Sequence, residues 1–302
     1  MLQKTTLALF LLLVGCSESP PQGLRSFSGI AMTIPYEIKA DAEKDPAIMM
    51  RIIQETFAEV DAHYNKFNPD SELSHFNRLK SYEKMKISAG MQDLLNKTDK
   101  LYLLSQGLFD PTVETIAPLW KEAIHQGAIP SQEAIELKRK AVGWNKVHRE
   151  EGMIWKEQDE TALDLGGIAK GYTVDLLYER LSALPLQHLY VEWGGEIRTS
   201  KTHPEGRAWL VAVHSPDLPH ILITLELQDE AVATSGDYAQ SYSLRDESGT
   251  LRNYFHVIDP RTLLLMENRS GTPLHVSVKA DTCTEADGLA TCLLIQRALS
   301  HQ

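Results

Sequence analysis

Hydrophobic side chains recur at helical spacing in four separate segments of the chain. Met49, Ile53 and Phe57 follow one another at intervals of four residues, which places them on one face of a helix. In the second segment, Ser88 is a candidate N-cap and Gly107 is a signal for the end of the helix. The spacing predicts helices at 45–65, 88–106, 167–184 and 285–298.

Shorter stretches rich in β-branched and aromatic residues lie between and after these helices. They predict strands at 32–38, 188–193, 208–214, 221–227, 254–258 and 274–279. The two patterns mix without a repeat, and no linker-like stretch divides them. This mixture predicts an α+β fold. We expect a single compact domain, either undivided or bilobed, with a mixed, largely antiparallel sheet and packed helices.

The N-terminal residues have a different pattern from the rest of the chain. Lys4 is followed by an apolar run over 5–14. A run of about ten residues is too short to cross a bilayer roughly 30 Å thick, but it is typical of a signal peptide. Leu13-Val14-Gly15-Cys16 resembles a bacterial lipobox, in which the cysteine is lipidated; an ordinary signal peptide with an incidental cysteine is the alternative. The polar, proline-rich segment that follows is typical of a tether.

These features predict a signal peptide at 1–15, a lipidated tether at 16–28 and a folded domain at 29–302. The domain is expected on the periplasmic side of the inner membrane, held there by its lipid anchor. Sorting to the outer membrane is the alternative. No other apolar run is long enough to suggest a membrane span.

Charge and cysteine content exclude several classes of protein. The chain has 41 acidic and 30 basic residues, a net charge of −11, and no long basic cluster, so no nucleic-acid partner is expected. Its 3 cysteines are too few for a disulfide framework or a cysteine-based zinc finger. Cys283 and Cys292 could form a disulfide, but two free thiols are favoured because one is predicted inside the last helix and the other before it.

A pair of glycines opens the predicted helix at 167–184, in the sequence Asp164-Leu-Gly-Gly-Ile-Ala-Lys-Gly171. Glycines at a helix entrance let a ligand approach the backbone, and free N–H groups there suit a phosphate. Lys170 adds a positive charge. The segment lacks the Lys-Ser/Thr pair of a phosphate-binding loop and is not a GxGxxG motif. A phosphate site and a structural turn therefore both remain open.

Asp287 and Thr291 lie one turn apart on the predicted last helix and share one of its faces. A carboxylate beside a hydroxyl offers two hard oxygens, which suit magnesium better than zinc. A solvated face or a cap would give the same spacing. The flanking residues are apolar, so the carboxylate is expected to be partly buried and to need a partner.

Three further motifs are equivocal on their own. His256 precedes an Asp-Pro turn, where it could be a general base or a structural residue. The segment 107–112 carries an aromatic residue that could stack on a flat ring or pack in the core. The segment 233–238 is a turn of small residues after a strand-like stretch.

Taken in order along the chain, these motifs resemble the ApbE family of FAD:protein FMN transferases. The matching segments are 67–77, 107–113 with 119–120, 164–175, 191–196, 233–238, 256–262, and 276–278 with 285–291. The resemblance extends over the chain from about residue 29 onward. Seven blocks in the same order are much more specific than any one of them.

The resemblance implies an exported, magnesium-dependent enzyme that splits FAD. It would attach FMN through a phosphoester to a threonine of a target protein and release AMP. The expected targets are subunits of membrane redox complexes, such as a sodium-translocating NADH:quinone reductase. Two alternatives are a pyrophosphatase that hydrolyses FAD to FMN and AMP, and a lipoprotein that binds FAD without chemistry.

The resemblance also assigns roles to individual residues. The metal ligands would be Asp287, Thr291 and the backbone carbonyl of Gly167, and His256 would be the general base. Contacts to FAD would come from Phe67, Leu108, Phe109, Asp110, Asp164, Lys170 and the backbone of Ile258. The chain departs from the family pattern at several places; among them, Phe67 replaces a tyrosine, and Leu263 replaces a glycine.

Overall fold

The structure of the chain is a computed structural model that describes residues 23–200, 202–214, 221–236, 241–246, 248–268 and 275–300. Cys16 and the predicted signal peptide at 1–15 lie outside the described residues, as do positions 237 and 238 of the small-residue turn. Among the described helices, none is both long and apolar enough to cross a membrane.

The described residues form seven α-helices. They are α1 (Pro46–His63), α2 (Glu72–Arg78), α3 (Ala89–Leu104), α4 (Ala117–Gln126), α5 (Gln132–Arg139), α6 (Gly166–Ser182) and α7 (Cys283–Ser300). The four predicted helices are confirmed as α1, α3, α6 and α7. Asp45 and Ser88 cap α1 and α3 with their side chains, as expected of residues that accept a hydrogen bond from a free helical N–H. The three shorter helices were not predicted.

The described residues also form fourteen strands. They are β1 (Leu24–Ala31), β2 (Ile34–Asp41), β3 (Met85–Lys86), β4 (Val147–Glu150), β5 (Met153–Lys156), β6 (Leu189–Trp193), β7 (Glu196–Thr199), β8 (Trp209–His214), β9 (Ile221–Leu227), β10 (Ala231–Gly236), β11 (Ser241–Arg245), β12 (Leu251–Ile258), β13 (Leu265–Glu267) and β14 (His275–Ala280). The six predicted strands correspond to β2, β6, β8, β9, β12 and β14. Because β1 begins at Leu24, residues 24–28 belong to the sheet and not to the predicted tether.

The largest sheet has six strands in the order β1-β2-β6-β7-β10-β14. Smaller sheets contain β11-β12-β13, β3-β5-β4 and β8-β9. Every pair of these strands is antiparallel. The predicted α+β fold with a largely antiparallel sheet is therefore confirmed.

The main core fills the space between the six-stranded sheet and helices α1, α3 and α6. Ile38 from the sheet, Ile53 from α1, Leu94 from α3 and Leu177 from α6 are all 0% exposed. A second cluster surrounds Trp120 of α4 and includes side chains from β11, β12 and β13. Burial of these apolar faces is the main favourable contribution to folding.

Helices α6 and α7 approach each other unusually closely at Gly171. A Cβ atom at this position would lie 2.2 Å from the carbonyl oxygen of Cys283 and 2.8 Å from Cβ of Asp287. From the next turn of α6, Asp175 accepts hydrogen bonds from the backbone N–H groups of Cys283 (2.9 Å) and Thr284 (2.8 Å). It therefore caps the first turn of α7, where helical N–H groups lack partners within the helix.

The two described cysteines are both buried free thiols, which confirms the favoured alternative. Cys283 is the first residue of α7, whereas the sequence placed it before the helix. Cys292 lies further along the same helix, so the two thiols are separated by more than two turns. That geometry keeps them apart.

A buried lysine braces the segment that leads into α6. Lys156, at the end of β5, is 0% exposed, and its ammonium donates to the carbonyls of Asn77 (2.9 Å) and Thr161 (2.6 Å). Asn77 in turn exchanges two hydrogen bonds with the backbone of Leu163. Burial lowers the pKa of Lys156 to about 8. This brace fixes the chain immediately before Asp164.

We expect Gly171→Ala to lower the free energy of unfolding by about 1–3 kcal/mol, because the added methyl meets a backbone carbonyl that can move only if the helices separate. Urea denaturation measures the loss. Gly288→Ala is the matched control, since its methyl would meet the flexible end of the Leu101 side chain. An equal or larger loss in the control would show that the close contact between α6 and α7 is not the cause of the lost stability.

The lowered pKa of Lys156 makes part of the stability depend on pH. Between about pH 8 and 10 the unfolded chain holds this proton and the folded chain does not, so stability relative to Lys156→Met rises with pH. Urea denaturation of both proteins at several pH values tests this. Lys86→Met, at an exposed position of β3, should show no such trend. If the difference in stability between wild type and Lys156→Met does not change with pH, the pKa of Lys156 is not lowered in the folded chain.

Candidate active site

The entrance of α6 is organised by Asp164. One carboxylate oxygen accepts the N–H of Gly166 at 2.7 Å, and the other accepts from the ammonium of Lys66 at 2.7 Å. Lys66 also donates to Glu114 at 2.8 Å. Burial lowers the pKa of Lys66, but the charges of the two carboxylates outweigh it and the pKa is raised. A polar network therefore fixes the start of α6.

Lys170 lies one turn further along α6, between two buried carboxylates. Its ammonium donates to Oε1 of Glu196, the first residue of β7, which is 1% exposed. Asp287 of α7 is 3% exposed, and its Oδ2 accepts the N–H of Gly171 at 2.9 Å. Burial raises the pKa of both carboxyl groups, while the charge of Lys170 lowers it. The positive charge of Lys170 therefore offsets part of the cost of burying these two carboxylates.

Thr291 lies next to the opening glycines of α6. A Cβ atom on Gly167 would be 3.1 Å from Oγ1 of Thr291 and 3.1 Å from the ring of Phe109. Oγ1 of Thr291 is also 3.3 Å from Oγ of Ser235 on β10. Asp287 is one turn earlier on α7, so the close packing of the two helices brings the three predicted metal ligands into one region.

These donors fit magnesium in their chemistry. A carboxylate, two hydroxyls and a backbone carbonyl are hard oxygen ligands, and no thiolate or imidazole is among them. Within the described residues there is no group of three His, Cys, Asp or Glu side chains that could hold a metal ion. A cation here would therefore need the hydroxyl and carbonyl oxygens beside Asp287. The metal assignment itself stays a prediction.

The loop before Pro111 carries three of the predicted FAD contacts. Phe109 is 5% exposed and lies against Gly167, and Leu108 is half-buried against the core. Asp110 accepts hydrogen bonds from the N–H groups of Thr112 (2.8 Å) and Trp144 (3.1 Å). Burial raises the pKa of Asp110. The carboxylate thus binds the backbone of its own loop and that of Trp144, and it holds the loop in place.

Phe67 lies at the outer side of this region. Its ring is 85% exposed, and the ammonium of Lys66 lies 5.4 Å from the ring centre. Lys66 also binds Asp164, so the ring stands beside the entrance of α6. An exposed aromatic ring next to a cation is available to stack on a flat ligand.

His256 and Ile258 lie on β12, in a different sheet from the strands beneath α7. His256 is exposed and Ile258 is half-buried. Phe255, the neighbour of His256, packs in a cluster with Leu294 and Ile295 of α7. The strand is thereby attached to α7, the helix that carries two of the predicted metal ligands, and the imidazole lies on the solvent side.

The turn after β12 is held by Asp259, which is 2% exposed. Its carboxylate accepts three hydrogen bonds from Arg261, at 2.9–3.0 Å. Leu263, where the family has glycine, has a φ of 62°. This is the left-handed region that favours glycine, and the side chain of Leu263 is buried in the cluster around Trp120.

Sequence reasoning missed four residues of this region. Lys66 and Glu114 complete the network of Asp164, Ser235 approaches Thr291, and Glu196 holds Lys170. Ser235 and Glu196 belong to quoted motifs but received no role. Their partners are distant in sequence, so no local spacing could have paired them.

Comparison with known proteins agrees with this architecture. A model of the ApbE family matches residues 32–299. An FAD:protein FMN transferase of Chlamydia muridarum is 33% identical over 299 residues, which cover 95% of this chain and 88% of the relative. The protein of the same name from Vibrio cholerae is 32% identical over 297 residues, which cover 96% of this chain and 86% of the relative.

Two solved structures are similar over most of their length. The apo form of the Pseudomonas stutzeri flavinyl transferase ApbE has a TM-score of 0.79 and 26% identity, covering 92% of this chain and 87% of that one. The Vibrio cholerae flavin transferase ApbE has a TM-score of 0.77 and 29% identity, covering 92% and 89%. The family model matches most of this chain, and the chain covers most of the length of the Chlamydia muridarum relative. The chain therefore belongs to the ApbE family.

Proposed function

We propose that the chain is a magnesium-dependent FAD:protein FMN transferase that attaches FMN to a threonine of a target protein. The observation that carries the proposal is the meeting of Asp287, Thr291 and Gly167 beside Lys170 at the α6–α7 contact. Curated relatives with this activity in their names support it.

The reaction is a displacement at phosphorus. The threonine oxygen forms a bond to the phosphorus of the FMN half while the bond from that phosphorus to the bridging oxygen breaks, and AMP leaves. The attacking hydroxyl loses its proton. Charge and alignment are the main obstacles in phosphoryl transfer.

Asp287, Thr291 and the carbonyl of Gly167 would hold the magnesium ion. A bound magnesium ion would neutralise charge on the pyrophosphate and on the leaving group. The side chain of Lys170 is 31% exposed, and its ammonium, which pairs with Glu196, would add positive charge near a bound anion. The N-terminus of α6 adds its dipole to the same region.

The remaining predicted contacts would orient FAD. Phe67 offers an exposed ring beside Lys66, and Phe109 forms the wall next to Gly167. Asp164 and Asp110 order the two loops that carry these contacts, and the backbone of Ile258 would supply a further contact from β12. His256, exposed on that strand, would take the proton of the threonine hydroxyl.

The activity is tested with FAD and magnesium, with and without a threonine-bearing subunit of a membrane redox complex. Covalent flavin fluorescence on the denatured target, together with AMP, supports transfer. Free FMN and AMP without labelled target would indicate a pyrophosphatase. Bound FAD without AMP would indicate a carrier.

We further propose that Cys16 is lipidated and that the enzyme is held on the periplasmic side of the inner membrane. The lipobox-like Leu13-Val14-Gly15-Cys16 supports this placement. A sodium-translocating NADH:quinone reductase is a target class that would be met at the same membrane.

We expect Asp287→Ala to abolish both AMP release and flavin transfer. The change removes the only carboxylate of the proposed ligand set, and hydroxyl and carbonyl oxygens alone bind magnesium weakly. Both products are measured over a magnesium titration. Glu285→Ala, at an exposed position of the same helix, should keep its activity. Magnesium-dependent turnover of Asp287→Ala near the wild-type rate would remove this residue from the metal site.

We expect His256→Ala to slow transfer by about 10²–10⁴-fold while FAD affinity stays nearly unchanged, because a base acts on the nucleophile and not on the pyrophosphate. Single-turnover transfer at saturating FAD and FAD affinity are measured on one preparation. His125→Ala, an exposed histidine of α4, is the control. Joint loss of thermal stability and FAD affinity, with transfer retained, would assign His256 to the structure of the turn instead.

A further inference from the structure

Glu196 is almost completely buried, yet only one of its carboxylate oxygens has a hydrogen-bond partner among the described residues. Oε1 receives the ammonium of Lys170, and Oε2 is buried without a donor. A buried acceptor without a donor has lost its hydrogen bonds to water and gained none in return, which lowers the stability of the folded chain. Such a residue suggests a role other than stability at this position.

The hairpin between β6 and β7 delivers this carboxylate to Lys170. Trp193 pairs with Glu196 across a two-residue turn, in which Gly194 and Gly195 have φ values of 64° and 96°. A Cβ atom on Gly194 would lie 3.8 Å from Cδ of Lys170 and 2.7 Å from Ile34. The turn thus lies directly against the stem of the lysine, and its left-handed backbone requires glycine.

A second carboxylate lies close to Lys170, because Oδ2 of Asp287 accepts the N–H of the next residue, Gly171, at 2.9 Å. Burial lowers the pKa of Lys170, but the charges of Glu196 and Asp287 outweigh it. Asp287 is the carboxylate of the proposed metal site. If the lysine turned to Asp287, it would compete with a divalent cation for the same oxygens. The contact with Glu196 holds it elsewhere.

We propose that Glu196 is a positioning residue that holds the Lys170 ammonium away from Asp287 and thereby keeps that carboxylate available to the metal ion. The inference rests on the proposed metal site. It predicts that Glu196 acts on metal binding through Lys170 and not through its own charge.

The test is a double-mutant cycle read by binding of Mn²⁺, a stand-in for magnesium, with the free ion followed by electron paramagnetic resonance. Glu196→Gln should weaken Mn²⁺ binding about tenfold when Lys170 is present, since the freed ammonium pairs with Asp287. In the Lys170→Met background, the same change should weaken it less than about threefold. Equal effects in the two backgrounds would overturn the inference.

Glu196→Asp tests the position of the carboxylate separately from its charge. It also provides a second variant if Glu196→Gln folds poorly. It keeps the negative charge but shortens the side chain by one methylene, so its reach to Lys170 is lost. We expect weaker Mn²⁺ binding, whereas a role through charge alone predicts no change. Glu72→Gln, a half-buried glutamate that binds Ser88, is the control and should bind like wild type.

Failure of the inference can be distinguished from failure of the proposed site. If wild type and Asp287→Ala bind Mn²⁺ equally, the metal site is wrong and the inference falls with it. If Asp287→Ala loses binding while Glu196→Asp behaves like wild type, the site stands and only the role of Glu196 is overturned.

Discussion

The hydrogen bond from the backbone of Gly171 to the carboxylate of Asp287 is the contact on which the candidate site depends. It forms only because α6 and α7 approach so closely that no Cβ fits between them. The same approach places Thr291 against Gly167. A small change in the distance between these helices would move Gly167 of α6 away from Asp287 and Thr291, which both lie on α7.

This close packing has an electrostatic consequence. It buries Asp287 beside Glu196, and burial disfavours the charged form of both. One ammonium, that of Lys170, lies near both acids and binds only Glu196, so the cluster is short of positive charge. A divalent cation at Asp287 would correct that imbalance, which is a physical reason to place the metal here that does not depend on the family resemblance.

Local patterns in the sequence predicted the long helices and the Asp287–Thr291 pair, because both follow from helical spacing within one segment. The short helices α2, α4 and α5 contain too few turns to show a clear period. The pairs Lys170–Glu196 and Lys66–Asp164 join residues 26 and 98 positions apart, so only the tertiary fold reveals them. The family resemblance supplied the remaining site residues, but not their partners.

The position of β12 would let His256, the proposed base, act beside the proposed metal site without being one of its ligands. Phe255 anchors the strand to the far part of α7 through Leu294 and Ile295, while His256 faces solvent. A target protein would bring its threonine from solvent, so the proposed base lies on the side from which the nucleophile would arrive. Water has access to the same side. In the proposed mechanism, the choice between transfer and hydrolysis would therefore depend on how well a docked target excludes water from the imidazole, and not on the proposed metal ligands.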